Sequence, residues 1–273
     1  MAGNGLKAVG MLIWWYWWRK PVPIRERYAP IKAFICATKM SSKPVWLREK
    51  PPEVQQSTSA SVTHYCDFHD IRITVLAELS HYSVVHECIH VIIVEEKLPI
   101  GWVVHVPGLF ESPNHHRMFI GALSNSLHHP AIYSRMETEF RLPMRRYWSR
   151  VIADGIQTID HWYQSPAGPE KKQFDIIAVL FAYLVPELRD ICQAYGARYP
   201  IEHACCERIR LDVDGVNLNV SEGVHRAIEA ISTHLAGYCE SYGLFDHAQL
   251  WRDLRPITHA DLPANWIDGL EVE

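Results

Sequence analysis

No two of the seven cysteines stand in a CxxC pair, and their number is odd. That spacing excludes a zinc ribbon and gives no disulfide framework, and it fits a reducing, cytoplasmic setting. A basic excess is also missing, since 27 Lys and Arg stand against 31 Asp and Glu for a formal charge of -4. A surface that wraps a phosphate backbone leaves the opposite signature, so nucleic acid is not an expected partner. No internal repeat period is visible, and no apolar run is long enough to span a bilayer.

The longest apolar run, AVGMLIWWYWWRK near the N-terminus, lacks the small residues of a signal cleavage site. Its Trp and Tyr side chains suit a membrane–water boundary, so membrane association through interfacial contact is one reading. An apolar segment packed on the domain is the other. Pro21, Pro23 and Pro30 follow, and the stretch SSKPVWLREKPPEVQQSTSASV is rich in Ser, Pro and Gln. Residues 1–60 therefore read as an N-terminal appendage and linker, and residues 61–273 as the domain proper.

What is present is a 273-residue chain with 48% hydrophobic content, enough for a sizeable core. HDIRITVLAEL alternates Ile71, Ile73 and Val75 with polar residues, the period of a strand. Residues 80–97 contain neither Gly nor Pro and are too long for an ordinary strand, so a helix is predicted there despite many β-branched residues. A second helix is predicted from Ser112-Pro113 to Pro130, and more helical stretches follow in 131–140 and 144–163, broken by Pro143, and in 174–184, 186–196 and 221–243. RIRLDVDGVNLNV alternates on both sides of Asp214-Gly215 and predicts a β-hairpin. The expected fold is α+β and mostly helical, with one hairpin inside a helical C-terminal portion.

Within the first helix, SVVHECIHVI places His86 and His90 four apart, with Glu87 directly after the first. On a helix, positions i and i+4 share a face, so both imidazoles can meet one cation. A carboxylate beside them can take a proton from a metal-polarised water. His-Glu-x-x-His arises by chance about 6 times in 100 in a chain of this composition. The uncharged flanks Ser83, Val84, Cys88, Ile89, Val91 and Ile92 add weight, because a helix around an interior metal is apolar.

This stretch resembles the active-site helix of the zincin metallopeptidases. The resemblance implies His86 and His90 as zinc ligands, Glu87 as general base, and a peptide or protein substrate hydrolysed by a Zn²⁺-activated water. It covers about ten residues directly. Glu96 stands where the metzincin subgroup has a third His, so the likeness is to gluzincins, which draw a glutamate from a following helix. Glu111 holds that place, with His115 and His116 as competitors and His128 and His129 as candidates for substrate contact or helix capping. Two other classes remain open: a metal-binding regulatory module without turnover, and a structural helical protein carrying a chance motif.

Overall fold

The computed structural model describes residues 24–50, 60–74, 80–164 and 167–263. The Trp-rich N-terminal run lies outside them. The chain divides into two compact units, the first drawn from Met1–Lys97, Ile132–Tyr147 and Ala260–Glu273, the second from Leu98–Ala131 and Trp148–His259. Among the described residues the protein is mostly helical with short strands in small sheets, an α+β fold. No described helix is long and apolar enough to cross a membrane.

In the first unit, helix α1 (Ile24–Met40) leads into β1 (Val45–Glu49), β2 (Ala60–His64), β3 (His69–Ile73) and helix α2 (Ser80–Glu95). The sheet order is β1-β3-β2, with β1 parallel and β2 antiparallel to the central β3. β3 alternates as its sequence predicts: His69, Ile71 and Ile73 are buried and Arg72 is exposed. Residues 24–49, expected in an appendage, thus contribute a helix and a strand to this unit. Their own pattern allows it, since Ala29, Ala33, Phe34 and Ala37 form a buried stripe of mostly small side chains that packs on α2.

Helix α2 is buried on nearly every face, from Ser80 through Ile93. That burial explains why a β-branched run folds as a helix: propensity differences of a few tenths of a kcal/mol per residue are small beside about 1.5–3 kcal/mol per buried Val or Ile. The helix stops at Lys97, which adopts φ +59°.

The second unit holds β4 (Ile100–Trp102) paired with β5 (Arg255–Ile257), and helix α3 (Pro113–Thr138) as far as Ala131. It also holds α4 (Arg145–Gln164) from Trp148 onward, α5 (Pro169–Tyr183), α6 (Arg189–Arg198), α7 (Pro200–Asp212), α8 (Ser221–Ser241) and α9 (Phe245–Arg252). At its centre the fully buried Gln173 accepts hydrogen bonds from Trp251 Nε1 at 2.7 Å and Cys239 Sγ at 3.5 Å. The predicted hairpin is absent. Residues 208–212 continue α7, because Cys205, Cys206, Ile209 and Val213 make a helical stripe that is buried, while Leu211, an inward position of the expected strand, is exposed. Gly215, at φ +72°, turns the chain after that helix.

Candidate metal centre

His86 and His90 occupy successive turns of α2 and face the same way, with Nε2 atoms 3.2 Å apart. A tetrahedral zinc with Zn–N bonds of about 2.0–2.1 Å holds its nitrogens about 3.3 Å apart. The pair is therefore already at the spacing a shared cation needs. Tyr133, on α3, lies beside His86 with ring centroids 5.8 Å apart. α3 is one continuous helix, so His129, one turn before Tyr133, is carried on the same stripe. Ring nitrogens of His86, His90 and His129 lie within 4.8 Å of one another, a group that can hold a metal ion.

Three neutral imidazoles suit a borderline-soft cation such as Zn²⁺, Cu²⁺ or Ni²⁺, and leave a tetrahedral ion one further position. Three histidines carry no charge of their own, so an ion they bind keeps its full +2.

Glu87 is rotated about 100° from His86 around α2. Burial pushes its carboxyl up to about 8, while the nearby Lys50 ammonium and a hydrogen bond from the Val62 backbone N–H pull the other way. Lys50 itself is buried, and desolvation lowers its pKa against the pull of Glu87. Burial also drives the Tyr133 phenol well above its ordinary pKa, helped by Tyr147 and by the negative charge of Glu87. One helix thus presents two imidazoles of the candidate metal group and a carboxylate that is felt by a tyrosine standing next to one of them.

The group that can hold a metal ion takes its third member from a residue other than the expected Glu111 or His116. Glu111 is exposed and pairs with His115 Nδ1 at 3.1 Å, one turn along its own segment. His116 is buried among Trp102, His105 and Phe110, and donates from Nε2 to the Val103 carbonyl at 2.9 Å. Neither Glu111 nor His116 belongs to the group that His129 completes. Adjacent histidines also part company: His128 points to the Pro99 carbonyl at 2.9 Å, and burial holds its pKa down to about 4. The signal that singles out His129 is its four-residue spacing from Tyr133, which carries meaning only once α3 runs unbroken through Pro130. Lys50, Val62 and Tyr133 carry no sequence signal. Cys88, inside the motif, is a buried packing residue whose thiol burial pushes well up in pKa.

Comparison with protein-family models, with curated proteins and with solved structures yields no match, so the reading of this centre rests on its own geometry.

Proposed function

We propose that the protein is a zinc-dependent hydrolase of peptide bonds, with His86, His90 and His129 as the metal ligands and Glu87 as general base. The observation that carries this reading is the convergence of three imidazoles within 4.8 Å, two of them on a helix that also bears a carboxylate desolvated by burial. Bound there, a zinc ion supplies Lewis acidity that brings the pKa of a water from about 16 to about 7. Glu87 takes the proton from that water and delivers it to the departing amine. The Lys50 ammonium and the Val62 N–H favour the ionised carboxylate and so oppose the burial that raises its pKa to about 8. Tyr133, kept protonated by burial and by its hydrogen bond with Tyr147, stands beside His86.

A metal-binding module without turnover is the second reading, favoured by the closeness of Glu87 to Lys50, which can hold the carboxylate as a structural ion pair. One variant separates the two. Glu87→Gln in zinc-loaded protein, assayed on a mixture of unstructured peptides, is expected to keep its zinc and lose at least about 100-fold in hydrolysis. Hydrolysis that survives in Glu87→Gln removes Glu87 from the mechanism, and a wild-type chain that binds zinc without cleaving any peptide favours the module.

A further inference from the structure

β2 and β3 meet in a tight turn closed by the Tyr65 N–H on the Phe68 carbonyl at 2.9 Å. Alternation along the ladder then makes His64↔His69 and Val62↔Ile71 pairs without mutual backbone hydrogen bonds. Two consequences follow. Side chains of such pairs stand closest together, and the N–H groups of Val62 and His64 point away from β3. The first places His64 Nδ1 2.8 Å from His69 Nδ1. The second aims the Val62 N–H at Glu87.

His69 is fully buried, and its Nε2 meets Glu95 Oε1, at the last residue of α2, at 3.0 Å. Glu95 also accepts from the Ser42 N–H at 3.0 Å and from Ser41 Oγ at 3.3 Å. The hydrogen bonds from His69 and Ser42 outweigh burial and hold the Glu95 pKa below its ordinary value, so it is an anion at neutral pH and the His69 proton on that side sits on Nε2. Only one proton fits between the two Nδ1 atoms. In the neutral pair His64 carries it and donates to His69. One more proton enters at His64 Nε2 and leaves the contact whole. The next has to enter at His69 Nδ1, which sets two N–H groups head to head 2.8 Å apart.

We propose that His64 and His69 form a proton-counted clasp on the end of β2 that positions the Val62 N–H on Glu87 and releases it when both imidazoles are charged. Its bearing on catalysis rests on the reading of Glu87 given above; the clasp itself does not. The charged and polar groups around the pair set where it opens. Glu95 faces it from α2, and Ser41, Ser42 and Lys43 face it from the α1–β1 connection, with the Lys43 ammonium anchored on the Tyr65 carbonyl near Asp67 and Cys66. From β3, Asp70 is occupied by Arg48 and Arg72. Burial chiefly, and Lys43 in addition, oppose a charge on His69 while Glu95 favours it, and the balance lowers its pKa. The clasp is therefore closed at neutral pH and opens on the acid side of the ordinary histidine range.

The test is site-resolved NMR of the full chain from pH 8 to 4.5, following histidine ring nitrogens and the exchange protection of the Val62 and His64 amides. The clasp requires coupled, two-step titration of His64 and His69, with protection in β2 falling about tenfold across the lower step. In His64→Asn the amide donates to neutral His69 and turns its oxygen to charged His69, so the lower-pH loss of protection disappears. Independent single-step titrations, or a pH-dependent loss of β2 protection that survives in His64→Asn, overturn the proposal. These readouts need neither zinc nor turnover, so they fail or succeed separately from the hydrolase reading.

Discussion

His116 and His129 illustrate how little a histidine's neighbours in sequence say about its work. His116 serves a backbone carbonyl, filling a site walled by Trp102 and Phe110 and tying Val103 to α3. Its replacement by Ala leaves a cavity and a carbonyl without its donor, so His116→Ala is expected to cost about 2–3 kcal/mol in denaturant unfolding while leaving zinc content unchanged. Zinc lost in proportion to the stability change would be ordinary unfolding; zinc lost from a fully folded variant would return His116 to the ligand set. The pairing of His86 with His90 is legible because the two lie four residues apart on one helix. The approach of His129 is not, because it lies on another helix and the chain holds 16 histidines. Several of these turn out to be committed elsewhere, His81 to Glu26, His203 to Tyr183 and His234 to Asp212.

Among elements, α2 was readable from its length and lack of breakers, and β3 from its alternation. The predicted hairpin failed for a physical reason that reaches beyond α7. Val216, Leu218 and Val220 alternate like a strand, yet residues 216–220 pass across the first turn of α8. The Asn217 carbonyl oxygen lies 2.0 Å from where a Cβ on Gly223 would stand, and the carbonyl carbon 2.7 Å from it. Backbone cannot yield as a side-chain tip can. Gly223→Ala is therefore expected to destabilise the second unit by about 2–4 kcal/mol, a cost of overpacking against main chain, with the metal centre's histidines untouched. A change below about 0.5 kcal/mol in chemical denaturation would show that the segment does not pack there. Local alternation cannot distinguish a strand from a loop whose apolar residues dock on a neighbouring helix, and here docking prevails.

At the scale of the whole molecule, the first unit gathers segments from residues 1–97, 132–147 and 260–273, a grouping that no local periodicity in the sequence announces. Its boundary differs from the expected division at residue 60 because β1 finds its partner in β3. Yet the mostly helical class, the helix that bears His86 and His90 and the strand before it all follow from spacing and length arguments. If His86, His90 and His129 bind one metal ion, zinc stoichiometry on purified, refilled protein alongside His129→Ala and Glu111→Ala reads it out. About one zinc per chain is expected in the parent and in Glu111→Ala, and its loss in folded His129→Ala. A parent chain that takes up no zinc, or a His129→Ala variant that holds it as tightly as the parent, rules out this three-histidine centre.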